Sequence, residues 1–322
     1  MSLLAERQAG KTGKTGKTGK TGKTGSILAR LPQVSYKRQL SIMLAPYVLG
    51  LVGLVLLPAL LSVPFAFTNY NALRAPDWIG LDNFREMFGD WLFWNGLGAS
   101  LFYIVLAVPL RVLGAVFLAF LLHKPTLGNK INRVIAYLPT LIPDVAYALL
   151  WLYIFNPIYG PLNWILRLLG AEPESWLLEP WPAKFAIVIM MLWPIGEGFV
   201  LMLAAFNQIP HELGEAAQVD GASGKQRFLH ITLPLLAPAI LLLLFRDTVL
   251  SFQTNFVPGL ITTGGGPYHA TRFLPIYIWQ NAAEYQRFGY AAAMTWVMYG
   301  ITVVIIALQF IVARRWRKLL SD

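Results

Sequence analysis

The chain has 322 residues, 56% of them hydrophobic and only 13% charged, with a mean hydropathy of +0.55. Soluble domains carry about a quarter charged residues, so this composition excludes an ordinary soluble fold and points to a chain that faces lipid. The net charge of +10 would suit nucleic acid, but the basic residues sit in an N-terminal tail and at the ends of apolar runs; the lack of cysteine excludes disulfides, thiolate metal sites and a cysteine nucleophile.

Residues 1–39 read as a basic, low-complexity cytoplasmic tail. From Lys11 to Gly25 the triplet Lys-Thr-Gly repeats five times. A phosphate-binding loop needs four residues between its first glycine and Gly-Lys-Thr. Here glycines recur every third position, with no strand before them and no amphipathic helix after, so a flexible tail is expected. The first apolar run is too long for the core of a cleavable signal peptide.

Six apolar runs follow, each near the ~20 residues that cross a bilayer. They cover about residues 40–67, 96–122, 134–155, 184–206, 235–260 and 291–312. Prolines inside them are tolerated where neighbouring helices re-satisfy the freed carbonyls. None alternates with period two for long enough to suggest a barrel. The predicted fold is all-α and polytopic, a six-span domain over residues 40–315 with a short C-terminal end at 316–322.

Basic residues set the orientation. With the N-terminus inside, the inner segments hold 18 Lys/Arg and the outer ones six, namely Arg74, Arg85, Arg167, Lys184, Arg272 and Arg287. The asymmetry survives omission of the tail lysines. Both termini and the loop at 207–234 are predicted to be cytoplasmic.

That loop is a polar island with Glu215-Ala216-Ala217, then Gly221, Ile231, Leu233 and Pro234. Helix formers open it and glycines interrupt it, so a short helix, a turn and a second short helix are expected. The spacing, Glu-Ala-Ala, three residues, Gly, nine residues, Ile, one residue, Leu-Pro, resembles the coupling loop of ABC importer permeases of the type I fold. The outer segments Phe67-Thr-Asn-Tyr70, Trp78-Ile-Gly-Leu-Asp-Asn-Phe84, Leu260-Ile-Thr-Thr-Gly-Gly-Gly-Pro267 and Phe288-Gly-Tyr-Ala-Ala-Ala293 are similar to those of the carbohydrate-uptake subfamily. The Gly-Gly-Pro turn is similar to the F-type subunit of maltose-type permeases. The likeness covers about residues 40–315, without the extra N-terminal spans and large periplasmic insertion of the maltose F protein.

The resemblance implies a bacterial inner-membrane permease, not an enzyme, that imports a sugar, oligosaccharide, polyol or sugar phosphate. Its implied partners are a G-type permease, two ATPase subunits and an external substrate-binding protein. ATP and Mg would be bound by the ATPases, with no cofactor in this chain. In that picture a helix over about residues 213–219 enters a cleft of the ATPase. Glu215 offers a carboxylate there, Ala216 and Ala217 allow close approach, and Gly221 reverses the backbone; Asp220, Ile231, Leu233 and Pro234 complete the coupling set. The loop motif alone leaves a permease for peptides or amino acids open. An intramembrane enzyme would need a nucleophile–base or metal pair in adjacent spans, which the sequence lacks, and a channel would not need this loop.

Five charged residues fall inside apolar runs: Arg111, Asp144, Glu197, Arg246 and Asp247. Each costs about 2.5–3.5 kcal/mol at mid-helix, so each must face protein or water. Either the arginines pair with the acids, or the acids line a polar cavity. Aligning the chain on Leu138-Pro139 and Pro143, the Glu215 motif and Gly265–Pro267 puts Thr140, Asp144, Trp193, Glu197, Thr248, Phe252 and Asn255 at or near the family's sugar-contact positions. Thr140 with Asp144, Trp193 with Glu197, and Thr248 with Phe252 are each four apart, which would place each pair on one helix face. The four histidines have no metal-ligand spacing. Trp151, Trp176, Trp181, Trp279 and Trp316 fall near run ends and suit an interfacial belt; Trp193 needs another account.

Overall fold

The computed structural model describes residues 35–321; the Lys-Thr-Gly tail lies outside them. The chain is helical, with two compact units, one ending at Pro58 and the other starting at Ala59. In the first unit, α1 (Tyr36–Leu51) starts four residues before the expected run and takes Lys37 and Arg38 into its first turn. A wide π turn at Val52–Leu56 leads into α2 (Leu57–Phe65), giving an apolar helix over Lys37–Phe65.

A second π turn, Phe228–Thr232, also ends two residues before a proline, Pro234, as the first does before Pro58. Proline has no N–H and crowds the carbonyl of residue i−4. Widening the preceding turn accommodates that defect without ending the helix.

The second unit is organised around α4 (Trp91–Leu122), a 32-residue helix. Asp90 caps it, accepting from Leu92 N at 2.8 Å. The buried face of α4 carries Gly96, Ala99, Ser100, Ala107, Ala115 and Ala119, small residues that let other helices close in. A Cβ on Gly96 would lie 2.9 Å from the Arg272 carbonyl oxygen, so this position requires glycine. Against α4 pack α8 (Pro180–Leu192), α9 (Gly196–Asn207), α12 (Leu233–Thr254) and α14 (Leu274–Trp279). One apolar cluster gathers Phe93, Tyr103, Phe155 and Phe273; another gathers Val112, Phe199, Met202 and Leu243. Large apolar side chains such as Val105 and Phe117 stand exposed, as suits lipid or a partner chain.

Among the described residues four helices are long and apolar enough to span a membrane, and two bent pairs raise the number to six if each pair is one span. The third and fourth apolar runs are therefore not the straight spans expected from hydropathy. The third consists of α5 (Leu127–Tyr137), a 3-10 turn at Leu138–Leu141 and α6 (Asp144–Ile154), bent by 100°. The fourth, α8 and α9, bends by 47°. Pro139, Pro143 and Pro194 sit in these breaks, where each withholds an N–H and disfavours helix in the residue before it.

The segments between spans carry structure of their own. Asn83 in α3 (Asp82–Gly89) is buried and donates to the Ala66 and Thr68 carbonyls, both at 2.9 Å. Asn163 in α7 (Pro161–Leu168) is fully buried and donates to the Pro157 and Glu174 carbonyls while accepting from Glu174 N and Trp176 Nε1. Asp90 also accepts from Tyr277 Oη and Tyr290 Oη, tying α14 and α15 (Phe288–Ser321) to the start of α4. Burial, and then the bond to Asp90, push the Tyr277 hydroxyl up to about 12. The Gly-Gly-Gly-Pro turn follows α13 (Phe256–Thr263), with Gly264 and Gly265 left-handed and a cis Gly266–Pro267 bond.

Candidate functional site

The polar island folds as α10 (His211–Val219), a turn, and α11 (Gly224–Arg227). The expected second short helix is instead the first turn of a longer one, because α11 runs through the π turn into α12. The turn's geometry explains Gly221. Gly221 N bonds to the Gln218 carbonyl at 3.1 Å and Ala222 N to the Ala217 carbonyl at 2.9 Å, the paired bonds of a Schellman C-cap. That motif needs a left-handed residue, and Gly221 has φ +83°. Ser223 and Gln226 then form a capping box that starts α11. Arg227 Nη1 donates to the Gly214 carbonyl and to Gln218 Oε1, at 3.4 and 3.2 Å, binding the two short helices together. Glu215, Ala216 and Asp220 are exposed; Ala217, Ile231, Leu233 and Pro234 are half-buried.

Two of the three expected face-sharing pairs are broken by the helix bends. Thr140 lies in the 3-10 turn and Asp144 in the first turn of α6, so the two do not share one continuous helix. Trp193 directly follows the last residue of α8 and Glu197 lies in the first turn of α9, with Pro194 between them. The four-residue rule holds within one helix and fails across a break. The two breaks nevertheless meet. A Cβ on Gly196 would lie 2.8 Å from Tyr137 Cα and 2.9 Å from Thr140 Cγ2, so the start of α9 packs directly on the turn that precedes α6. Asp144, Trp193 and Glu197 are exposed around this junction. Trp193 stacks edge-on against Trp151, with ring centres 5.4 Å apart. Trp151 is thereby buried, not part of an interfacial belt. A cavity of ≈ 460 Å³ borders Trp193 on its apolar side.

Thr248 and Phe252 share a face of α12, but that face is covered. Thr248 Oγ1 donates to the Leu244 carbonyl at 2.9 Å and accepts from Gln309 Nε2 of α15 at 2.8 Å. Phe252 belongs to the apolar core. Asn255, at the joint of α12 and α13, is buried with neither amide atom hydrogen-bonded among the described residues.

The charged residues form a network joining α4, α9 and α12. Arg111 Nε lies 3.6 Å from Asp247 Oδ2, and Arg246 Nη1 lies 3.5 Å from Asp247 Oδ1. Arg246 also pairs with Glu197. Arg111 Nη2 reaches the Pro194 carbonyl at 3.5 Å, an acceptor freed by the bend between α8 and α9. The pairing alternative therefore describes Asp247 and Glu197, while Asp144 has no ion-pair partner among the described residues. Pairing of Arg111 with an acid is one of the two alternatives read from sequence; its bond to the Pro194 carbonyl and the stacking of Trp151 on Trp193 are not, since nothing in the spacing names either contact. No group of three or more His, Asp or Glu residues able to hold a metal occurs among the described residues.

Apolar helices, two of them broken at one junction, and a capped polar helix–turn–helix leading into a span give the chain the build of a polytopic membrane protein. The chain belongs to the family of the binding-protein-dependent transport system inner membrane component, whose profile matches residues 111–318. It is 37% identical over 277 residues to the probable ABC transporter permease protein YesP of Bacillus subtilis, covering 85% of this chain and 89% of that one. It is 31% identical over 276 residues to the sulfoquinovosyl glycerol transport system permease protein SmoG of Agrobacterium fabrum, covering 85% and 89%. To the lactose transport system permease protein LacF of Rhizobium radiobacter it is 32% identical over 245 residues, covering 73% and 80%. The fold matches a crystal structure of a bacterial alginate ABC transporter in complex with an alginate pentasaccharide-bound periplasmic protein, with a TM-score of 0.76 at 24% identity over 87% of this chain and 95% of that one. The protein is thus an inner-membrane permease component of a binding-protein-dependent ABC importer, and not an enzyme.

Proposed function

We propose that the protein is the F-type permease of an importer for a sugar, oligosaccharide or related polyol or sugar phosphate. It would work with a G-type permease, two ATPase subunits and an external binding protein. Both termini and the Glu215 loop would lie in the cytoplasm, in keeping with the excess of basic residues on that side. ATP and Mg²⁺ would be held by the ATPase subunits, with no cofactor in this chain. The names of relatives that carry lactose and sulfoquinovosyl glycerol support the solute class.

The observation that carries the reading is the junction of the two breaks, joined to the Glu215 helix by α9. Around it an indole and carboxylates stand exposed, the groups that meet a sugar's C–H face and its hydroxyls. In this scheme α10 sits in the ATPase cleft, with Glu215 against polar or basic groups and Ala216 and Ala217 at the contact. Closure of the ATPase pair moves α10, and α9 and α12 carry that movement to the junction, opening it alternately to each side. Asp144, Trp193 and Glu197 are the exposed candidate contacts, Glu197 while paired with Arg246, and Thr140 stands half-buried beside them with its hydroxyl on the Tyr137 carbonyl; Thr248 and Phe252 hold α12 in place from behind, with Asn255 at its outer joint.

The test is uptake into liposomes containing the whole importer, with the binding protein outside and ATP inside. ATP-dependent accumulation of a saccharide is expected, and Asp144→Asn and Glu197→Gln raise its half-saturation concentration. Accumulation of peptides or amino acids but not saccharides would refute the solute class. Unchanged uptake in both variants would remove the two carboxylates from the contact set.

A further inference from the structure

Beneath the Glu215 helix lies a cavity of ≈ 450 Å³ lined by Phe120, Lys124, Phe206, His211, Arg227 and Phe228, among others. Its walls are aromatic. The Phe120 and Phe228 ring centres are 5.0 Å apart, and His123 stacks on Phe206 at 5.8 Å. His123 is committed elsewhere, with Nδ1 bonded to the Phe120 carbonyl at 2.6 Å. The rim is basic. Lys124 and His211 are exposed, and Arg227 Nε is buried with no hydrogen-bond partner among the described residues. Neither Lys124 nor Arg227 is in an ion pair among the described residues, and no Asp or Glu is among the residues that line the cavity. Phe117 and Leu121, 60% and 50% exposed, continue the apolar surface along α4 toward the membrane.

An apolar hollow with a rim of cationic donors is complementary to an anionic amphiphile. Arginine and lysine bind phosphate oxygens through charge-assisted hydrogen bonds. The inner leaflet carries the anionic lipid, and basic pockets between helices on that side bind its headgroups. We propose that this cavity holds the phosphate headgroup of an anionic phospholipid of the inner leaflet, its acyl chain along Phe120 and Phe117. The lipid then braces α10 and α11 against the end of α4, so the ATPase-docking loop bears on the bilayer as well as on the spans. This rests on the cytoplasmic placement of the loop proposed above.

The test uses the assembled importer in nanodiscs of phosphatidylcholine doped with photo-crosslinkable phosphatidylglycerol. Crosslinks to the segment around Lys124 or residues 206–228 are expected, falling about five-fold in Lys124→Gln, the equivalent of ~1 kcal/mol per basic residue near an anionic surface. Soluble glycerol phosphate should not compete. Equal labelling by a phosphatidylcholine analogue, labelling unchanged in Lys124→Gln, or no labelling in the assembled importer overturns the lipid site. Competition by glycerol phosphate overturns the lipid as the source and assigns the cavity to a free phosphate ester. Because the chain has no cysteine, Lys225→Cys with an impermeant maleimide reports the side of the loop separately. A wrong topology and an empty cavity thus give different results.

Discussion

Replacing Asp247 by Asn tests the charge network directly. Its side chain is 4% exposed and faces Arg111, 12% exposed, and Arg246, 32% exposed. Breaking a buried pair by removing one partner costs about 3–5 kcal/mol, because the other charge is left uncompensated. Arg246 retains Glu197, so the loss falls mainly on Arg111. Asn preserves volume and one acceptor, which puts the expected cost near the lower end, about 3 kcal/mol. At roughly 2–4 °C per kcal/mol for domains somewhat smaller than this chain, the apparent Tm should fall by about 6–12 °C. Tryptophan fluorescence of the purified importer in detergent reads this. The double replacement Arg111→Met with Asp247→Leu removes both charges, and buried pairs exchanged for apolar residues are often neutral or stabilising. The double variant should therefore be more stable than the single one. A Tm for Asp247→Asn within 2 °C of the parent, or a double variant less stable than the single one, would refute the reasoning.

Gly196→Ala should destabilise by about 1–3 kcal/mol, as overpacking does, because its Cβ meets the Tyr137 backbone at 2.8 Å. Gly198→Ala, whose nearest neighbours are the Leu243 side-chain methyls at 3.2 and 3.3 Å and the Ala115 methyl at 3.4 Å rather than backbone, should cost less; thermal melts of the two variants check the order. A Cβ added at Gly221 meets nothing within 4 Å, so the cost of Gly221→Ala is the positive φ alone, about 1–2 kcal/mol in the turn. Folding and membrane insertion should survive while transport per ATP hydrolysed falls; unchanged coupling in proteoliposomes would contradict the role given to the turn. Tyr277 is raised to about 12 from a usual value of 10, so its stabilising contribution is complete below pH 10 and is lost as pH rises through 12. In an ultraviolet titration of tyrosine ionisation, Tyr277→Phe should remove one late-ionising group.

The sequence made the apolar runs and the Glu215 pattern legible because both are local. Hydropathy counts apolar residues along a line, and the spacing of Glu215, Gly221 and Pro234 lies within one turn of chain and its flanks. The bends were not legible for the same reason. Pro143 and Pro194 register in hydropathy only as residues inside a run, whereas the fold turns the chain through 100° and 47° there. Pairs four apart consequently came apart at Thr140 and Asp144, and at Trp193 and Glu197, yet held at Thr248 and Phe252, where the helix is unbroken. Even there the face was covered, since Gln309, far along the chain, supplies the hydrogen bond to Thr248. Intramembrane charge was visible as an anomaly. Its pairing depends on α4, α9 and α12 meeting in space, which one sequence does not encode in any spacing.

The pairing of Arg111 with Asp247 also bears on how the chain is made. Arg111 leaves the ribosome well before its counter-charge, and at ~5–20 residues per second the interval is on the order of ten seconds. During that time α4 enters the bilayer with a bare guanidinium, at ~2.5–3.5 kcal/mol on the insertion scale. The helix tolerates this because the rest of it is so apolar, with a mean hydropathy of 2.5 in its best window. The nascent membrane chain thus passes through a charged intermediate that arrival of α12 neutralises. Stalling synthesis before Asp247 would leave a stub whose second span is held in the membrane by its leucines, valines and phenylalanines alone.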